Sequence, residues 1–272
     1  MNTFKKTGLY CLTFLAFSML GCKEGSKEKE ADKQESAIET TEEASEITLE
    51  KLEGSPAYET ARLELISPDT SSKLTSGELN FEFDVQNYEL GAQTEGSNAN
   101  RLANSGKGQH IHFILNNQPY SAHYEPEFQK EIPDGVHHLV AFLSRSYHES
   151  VKNDNSVVVK KLQVGADATD TESLDMDSPT LIYSRPKGEY AGKDTENLLL
   201  DFFVLNTTLS EGGNKVRATI NDDEFMISEW APHIVKGLPM GEITIKLELL
   251  DENETLIPGP FNSVTRTVTL KE

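Results

Sequence analysis

The sequence predicts an all-β protein made of two tandem β-sandwiches. Short runs of alternating apolar and polar residues recur along the chain and are separated by Gly and Pro, whereas no long stretch shows helical periodicity. Residues 79–85 and 243–249 each alternate over seven positions, which is typical of a strand with one buried face. A third run with the same period lies between Val264 and Leu270.

The two halves of the chain also repeat each other. Each repeat has about 100 residues and many short strands, which indicates two sandwiches of immunoglobulin-like type, residues 58–164 and 179–272. An acidic linker, residues 165–178, joins them. The clearest shared pattern recurs after 119 positions: Leu79, Phe81, Phe83, Val85 and Asn87 in the first repeat, and Leu198, Leu200, Phe202, Val204 and Asn206 in the second.

Composition and motifs exclude several function classes. The chain has 45 acidic and 25 basic residues and a formal charge of -20, so a nucleic-acid backbone would be repelled. Both cysteines, Cys11 and Cys22, precede the predicted strands, which excludes a disulfide framework or a cysteine metal site in the body. There is no Gly-x-Ser-x-Gly, His-Glu-x-x-His or phosphate-loop motif, and we therefore expect a non-catalytic binding or interaction protein.

The N-terminus has the pattern of a targeting segment. Lys5 and Lys6 precede 13 mostly apolar residues, 8–20, which are too few to span a bilayer as a helix. The sequence Leu20-Gly21-Cys22 then resembles the lipobox of bacterial lipoproteins. The resemblance implies that residues 1–21 are a cleaved signal and that Cys22 carries the lipid anchor. Lys23 stands where an inner-membrane protein of this kind has Asp, which implies the outer membrane, on its periplasmic face or at the cell surface.

Residues 22–57 are predicted to be a tether. Residues 23–57 contain no aromatic residue and carry 11 acids against 5 bases, so they bury too little apolar surface to offset the entropy of ordering. We expect a disordered acidic spacer between the membrane and the body. The alternative is a short helix that docks on the body.

A histidine cluster is the strongest candidate site. Alternation along residues 110–115 directs Ile111, Phe113 and Leu115 into the core, so that His110 and His112 point outward on one face. Antiparallel pairing of this strand with the strand near residues 138–143 brings His148 and Glu149 close to them. Imidazoles at this spacing can share a divalent metal ion, with His110, His112 and His148 as ligands and Glu149 as a fourth. The alternative is exposed strand histidines without a ligand, because Lys215 and Arg217 occupy the matching positions of the second repeat.

An insertion points to the same place. In the first repeat 25 positions lead from Asn87 to His112, whereas 11 lead from Asn206 to Arg217 in the second. The additional residues lie within 91–108, which are rich in Gly, Asn and Ser. Long polar loops inside compact domains are usually functional or disordered. If the first repeat has a specific site, we expect it where this loop meets the histidine strand and residues 145–149.

Resemblances to two groups of bacterial proteins suggest further classes of ligand. Residues 109–116, residues 133–137 and the loop with His148 are similar to small secreted bacterial domains of unknown function that are rich in histidine. The whole chain resembles flavobacterial outer-membrane lipoproteins of the Bacteroidetes, some labelled phosphopeptide-binding, and related lipoproteins with tandem sandwiches bind glycans. The partners expected are the membrane, through the lipid anchor, and a protein, peptide or glycan ligand. Candidate ligand-binding side chains, for which packing roles are the alternative, are Arg145, Tyr147, Tyr124 and Trp230.

Overall fold

The computed structural model describes residues 46–272. The predicted signal segment, Cys22 and the tether as far as residue 45 lie outside the described residues. Sixteen strands and a four-residue helix in the insertion, α1 (Asn98–Arg101), are found in the described part, together with a single turn of 3-10 helix at Gly192–Thr195. The strands are β1 (Thr48–Lys51), β2 (Arg62–Ser67), β3 (Gly77–Gln86), β4 (His110–Leu115), β5 (Ser121–His123), β6 (Glu127–Ile132), β7 (Gly135–Ser144), β8 (Val157–Val164), β9 (Thr180–Arg185), β10 (Gly188–Ala191), β11 (Leu198–Leu205), β12 (Lys215–Ile220), β13 (Asp223–Ile227), β14 (His233–Lys236), β15 (Gly241–Leu250) and β16 (Ser263–Lys271).

Each repeat folds as a sandwich, which we call the first and the second module. In the first, a sheet of order β2-β3-β6 faces a sheet of order β5-β4-β7-β8. In the second, strands β9, β11 and β14 form the sheet equivalent to the first, and β16-β15-β12-β13 form the other, with β10 added in parallel to β16. The strand order is the same in both modules and is immunoglobulin-like, which confirms the predicted fold class and repeat.

Alternation along the strands builds one core in each module. In the first module Phe81 of β3 packs edge-on against Phe113 of β4, with 4.8 Å between ring centroids. In the second, Phe202 takes the position of Phe83, 119 residues later, and lies in the equivalent core. The repeat extends to the turns, because Asn87 and Asn206 both adopt a left-handed backbone, with φ of 54° and 56°.

The two modules pack face to face. Strand β7 is buried along nearly its whole length because one of its faces lies in the first core and the other meets the second module. Ile114, Val140 and Phe142 on the outer face of the first module contact Ile182 and Phe203 on the outer face of the second. This contact removes from water the sheet face on which the outward histidines lie.

Polar contacts fix the position of one module on the other. Asn117, in the turn between β4 and β5, accepts a hydrogen bond from the Tyr183 N–H at 2.8 Å and donates one to the Leu181 carbonyl at 3.1 Å. At the opposite edge Lys152 pairs with the fully buried Asp201 at 2.5 Å. The turn before β5 is thereby held against β9.

The prediction that the tether is disordered as far as residue 57 is wrong for residues 46–57, and in that described part a strand, not a helix, docks on the body. Strand β1 pairs antiparallel with β14 and extends a sheet of the second module. Leu52, which follows β1, is 4% exposed and packs with Tyr147, Leu199 and Ile234. The unpaired edge of β14 supplies hydrogen bonds that the local composition does not reveal.

The predicted linker between the modules is also partly packed. Leu174 is buried against Val136 and Phe261, and Lys161 pairs with Asp170 at 2.6 Å. Within residues 46–272 we find no helix with the length and apolar character needed to cross a membrane.

Replacing Leu52 with Ala should lower the free energy of unfolding by about 2–5 kcal/mol, because it leaves a cavity between the segment after β1 and both modules. Chemical denaturation of the chain from residue 23 onward measures the change. Leu256, which is 43% exposed, is the matched control, and Leu256→Ala should change stability by less than about 0.5 kcal/mol. Equal effects of the two substitutions would contradict the docking of this segment.

Candidate metal centre

Strand β4 places two histidines on one face of the first module. Ile111 and Phe113 lie in the core, and His110 and His112 alternate with them on the opposite face, as the pattern predicts. The alternative of exposed strand histidines is wrong, because both histidines are completely buried. The second module covers them, and its Ser184 lies 3.2 Å from His112 Nδ1.

Three imidazole nitrogens converge at this place. His110 Nε2 lies 2.9 Å from His112 Nε2 and 3.1 Å from His148 Nδ1. Their three ligand atoms lie within 4.8 Å of one another, close enough to hold a metal ion. Within residues 46–272 no other group of three or more His, Cys, Asp or Glu side chains has this geometry. The predicted trio is thus brought together in space.

A tight turn delivers the third histidine. In the loop between β7 and β8, the N–H of His148 donates to the Arg145 carbonyl at 2.9 Å, and the N–H of Arg145 donates to the Glu149 carbonyl at 2.8 Å. His148 itself adopts a left-handed backbone with φ of 70°. This conformation is uncommon for a residue with a side chain, and it lies at the centre of the candidate site.

Hydrogen bonds determine which nitrogens face the centre as lone pairs. His110 Nδ1 lies 2.8 Å from the Gly108 carbonyl, which can only accept, so in the neutral ring Nδ1 carries the proton and Nε2 the lone pair. That lone pair faces both His112 Nε2 and His148 Nδ1, and it can accept a hydrogen bond well from only one of them. A metal ion placed among the three nitrogens would satisfy all of them at once.

The second ring nitrogens of His110 and His112 are held in the way metal ligands usually are. Ligating histidines usually donate their other N–H to a carbonyl, carboxylate or water, which fixes the tautomer and ring orientation. Gly108 supplies the carbonyl for His110, and Ser184 supplies a hydroxyl for His112. Gly108 has φ of 85°, and a Cβ there would lie 2.2 Å from the Gly91 carbonyl oxygen, so only glycine fits at this point.

The histidines are neutral at physiological pH. Burial, together with the nearby cations Arg185 and Lys187, lowers the pKa of His110 to about 4, although the hydrogen bond to Gly108 acts to raise it. Burial and the same cations depress the pKa values of His112 and His148 well below the usual range. Metal ions bind the neutral imidazole, so protons do not compete with a metal here near neutral pH.

A tyrosine that the sequence analysis did not place at the site borders the group. The ring of Tyr120 stacks on His112 with 3.5 Å between centroids and an interplanar angle of 13°. Its hydroxyl lies 3.2 Å from His148 Nδ1. Tyr120 immediately precedes β5, the edge strand next to β4, and this pairing brings it beside the histidines.

Two cations from the second module complete the surroundings, and the sequence analysis missed them too. The Arg185 guanidinium carbon lies 5.3 Å from the Tyr120 ring centroid, and Lys187 Nζ lies 3.8 Å from it. Lys187 also donates to the Tyr120 carbonyl at 2.6 Å. Burial lowers the pKa of Lys187 to about 8, aided by Arg185 and Arg266.

The sequence contains a pattern that indicates burial of the histidine-bearing face by the second module. Strands β7, β9 and β11 read as nearly continuous apolar runs, unlike the alternating β12 and β16. Continuous runs are typical of strands buried on both faces. These continuous apolar runs indicate that the outer faces of both modules are covered. Ser184 and Arg185 lie on one of the strands concerned, β9.

Glu149 does not belong to the three-histidine group, which corrects the prediction that it lies at a fourth ligand position. Its carboxylate pairs with Arg145 at 3.0 Å and accepts a hydrogen bond from Ser55 Oγ. Burial raises the pKa of Glu149, and Arg145 opposes that shift. Arg145 is 4% exposed and also donates to the Ser150 carbonyl at 2.8 Å, so its charge is used inside the protein.

The predicted aromatic ligand surface is largely interior. Tyr147 is 1% exposed and donates to Ser55 Oγ at 2.9 Å. Trp230 donates from Nε1 to the Phe202 carbonyl at 2.9 Å and packs edge-on against Phe203. Tyr124 is half-buried, with its ring 5.0 Å from His110. These positions do not form one exposed stacking platform.

The inserted loop lies where the sequence analysis expected it. The Gln109 N–H donates to the Ala92 carbonyl at 2.7 Å, which attaches the loop to the start of β4. On the other side, the Thr94 N–H donates to Ser146 Oγ at 3.1 Å and the Ser105 N–H donates to the Ser146 carbonyl at 2.8 Å. The loop therefore supports both segments that carry the histidines.

No protein-family model and no curated protein matches the chain. Among solved structures, the chain is similar to the fibronectin(III)-like modules of CbhA from Clostridium thermocellum, at 14% identity over 77% of this chain and 94% of that chain, with a TM-score of 0.27. The central fibronectin-III array of RIM-binding protein matches at 11% identity over 82% and 71% of the two chains, with a TM-score of 0.26. SGBP-B of the Bacteroides ovatus mixed-linkage glucan utilization locus, solved with a mixed-linkage heptasaccharide, matches at 10% identity over 76% and 47%, with a TM-score of 0.23. These similarities concern the fold and carry no inference about a ligand.

The metal-free protein should lose stability as the pH falls from about 6.5 to about 4. Burial lowers the pKa values of His110, His123 and His138 to about 4, so these groups take up protons more readily when the chain unfolds. Each contributes stability that is present above pH 6.5 and declines by up to about 1.4 kcal/mol per pH unit below it. His138, at the far end of the interface, tests this: His138→Gln should flatten the dependence of unfolding free energy on pH by up to that amount. An unchanged slope, measured by denaturant titration at several pH values, would contradict the assignment.

Proposed function

We propose that the protein binds one divalent transition-metal ion at the interface of its two modules, through His110 Nε2, His112 Nε2 and His148 Nδ1. The convergence of these nitrogens, at 2.9 and 3.1 Å, supports the proposal most directly. A tetrahedral zinc ion with Zn–N bonds of 2.0–2.1 Å holds its ligands about 3.3–3.4 Å apart. His110 Nε2 needs to move away from each of the other two nitrogens by only a few tenths of an ångström, and the three ligand atoms, which lie within 4.8 Å of one another, would then gather around the ion.

The ligand set favours a particular class of metal. Three imidazoles suit zinc, copper and nickel, whereas calcium and magnesium require oxygen ligands. No carboxylate belongs to the three-histidine group found within residues 46–272. The hydrogen bond of His112 to Ser184 links the site to the second module, so metal binding should also stabilise the contact between the modules.

A metal is a better-supported ligand than a glycan or a phosphopeptide. The aromatic side chains considered for glycan stacking are buried or hydrogen-bonded to the protein's own backbone, apart from Tyr124. Arg145, the cation considered as a ligand-binding side chain, is engaged as well, by Glu149. The three histidines, in contrast, have ring nitrogens directed at one another.

Calorimetric titration of the chelator-treated chain from residue 23 onward with Zn²⁺ and Cu²⁺ should give one ion per chain. His110→Ala removes a ligand and should weaken binding by more than about 100-fold, whereas Ser184→Ala removes a partner of a ligand and should weaken it about 10–100-fold. His123, on the neighbouring strand β5, is the matched control, and His123→Gln should leave the affinity unchanged. Absence of binding, or equal losses in all three variants, would overturn the proposal.

We also propose that the body is held at the outer membrane by a lipid on Cys22. The lipobox resemblance and the polar segment that follows it support this proposal, and more than one acyl chain gives stable anchoring. In the described part, β1 begins at Thr48, so only the residues between Cys22 and that strand would separate the membrane from the body. The protein would then present its interface site in the cell envelope.

Cys22→Ser should release the protein from the membrane fraction or leave the signal segment uncut, because the thiol that receives the lipid is lost. Fractionation of cells, followed by mass spectrometry of the N-terminus, reports both outcomes. Cys11→Ser is the control and should change neither. Membrane association that persists in Cys22→Ser would contradict the anchor.

A further inference from the structure

We infer that the protein binds a small free oxyanion, of the phosphate or sulfate class, among Arg185, Lys187 and Arg266 of the second module. This place is separate from the metal centre, because the Tyr120 ring lies between the two. His112 stacks on this ring with 3.5 Å between centroids, and Lys187 Nζ lies 3.8 Å from the same ring centroid. Two groups this close to one ring must lie on its opposite faces. The inference therefore does not depend on the proposed metal site.

The three cations have no acidic partner. The chain has 45 acidic residues, yet within residues 46–272 no salt bridge involves Arg185, Lys187 or Arg266. Arg185 is 7% exposed, and the other two are half-buried. Burial and the charges of Arg185 and Arg266 lower the pKa of Lys187, and no carboxylate acts in the opposite direction. Buried charges without a partner are unfavourable, so an anion bound among them would stabilise this part of the interface.

Hydrogen-bond donors outnumber acceptors at the same place. Arg185 Nε, Arg266 Nη1 and the Tyr183 hydroxyl are buried atoms without a hydrogen-bond partner. The Tyr190 hydroxyl accepts hydrogen bonds from Arg185 Nη1 at 2.8 Å and from the Lys187 N–H at 3.2 Å, which leaves its own proton without an acceptor. Buried polar atoms of this kind usually have a bound water or ion as their partner.

These donors lie close to one another. The Arg266 guanidinium carbon is 4.3 Å from the centroid of the Tyr183 ring. Burial raises the pKa of the Tyr183 hydroxyl, and the charges of Arg266 and Arg185 both act to lower it, as expected when both guanidinium groups are near that oxygen. The first module covers the group, because Arg266 Nη2 donates to the Asn117 carbonyl at 2.8 Å.

The donor set fits a phosphate or sulfate ion. Guanidinium groups present N–H donors in a planar arrangement that matches the oxygens of such ions, and a lysine adds a compact positive charge. The oxygens of one ion can accept from guanidinium, ammonium and hydroxyl donors together, whereas a water molecule brings no charge. Tyr183 is completely buried and both modules enclose the cations, which favours a free ion over a phosphate carried on a peptide or a lipid.

Calorimetric titration of the metal-free chain from residue 23 onward with inorganic phosphate, in a chloride buffer without other oxyanions, should give one ion per chain, and sulfate should compete for it. Arg266→Gln removes a charge and an unpaired donor and should weaken binding at least about tenfold. Tyr183→Phe removes only the unpaired hydroxyl, so it should weaken binding severalfold without destabilising the anion-free protein. The matched control is Arg217→Gln, which should keep the affinity because Arg217 of the same module is already paired with Glu248 at 2.7 Å.

Nuclear magnetic resonance of the arginine side chains tests the site without a substitution that could disturb folding. The Arg185 Nε–H resonance should shift on adding phosphate, because this unpaired donor gains an acceptor. The Arg217 Nε–H donates to Glu248 Oε2 at 3.1 Å, and its resonance should stay in place.

Three results would overturn the inference: no phosphate binding, equal affinities of Arg266→Gln and Arg217→Gln, or an equal response of the Arg185 resonance to chloride at matched ionic strength. The last would indicate general screening of charge instead of a site. O-phosphoserine should bind at least about tenfold more weakly than inorganic phosphate, because its carbon chain has to pass the enclosing modules. Equal or tighter binding of O-phosphoserine would replace the free ion with a phosphate carried on a peptide. No metal is present in these titrations, so none of their outcomes bears on the histidine site.

Discussion

The contact between the outer faces of the two modules is the constraint on which the candidate site depends. Phe142 of β7 and Phe203 of β11 lie with ring centroids 4.6 Å apart across it. Without this contact His110 and His112 would face water and would titrate close to the ordinary value for histidine. With it, they are fully buried, Ser184 reaches one ring, and Arg185 and Lys187 approach from the second module. The site belongs to the pair of modules and not to either alone.

The segment that follows the predicted tether reinforces the same contact. Strand β1 extends a sheet of the second module, and Leu52 then packs against Tyr147 of the first. Ser55 continues the connection through hydrogen bonds to Tyr147 and Glu149 in the loop that carries His148. The chain entering the body thus ties both modules together beside the candidate ligands.

The sequence allowed the strands, the repeat and the histidine trio to be predicted because these follow from local alternation and antiparallel pairing. Asn87 and Asn206 even share their backbone conformation, as their alignment implies. Strand β1, Tyr120 and Arg185 could not be predicted this way, because their roles arise from contacts between distant segments. An acidic segment without aromatic residues looks the same whether or not a sheet edge is available to pair with it. Glu149 was misplaced because strand pairing predicts which residues are near one another and not which charge each of them meets.

The two repeats show why imidazole suits this position. In the second module Lys215 and Arg217 occupy the places of His110 and His112, remain partly exposed, and Arg217 pairs with Glu248 at 2.7 Å. In the first module the same face is covered, and a lysine or arginine there would have to be buried with its charge or lose a proton at considerable cost. Histidine loses its proton within the physiological range, so burial converts it to a neutral base with a lone pair. Covering one face of a repeated module therefore turns a surface charge position into a potential ligand position, and the turn at His148 adds the third nitrogen.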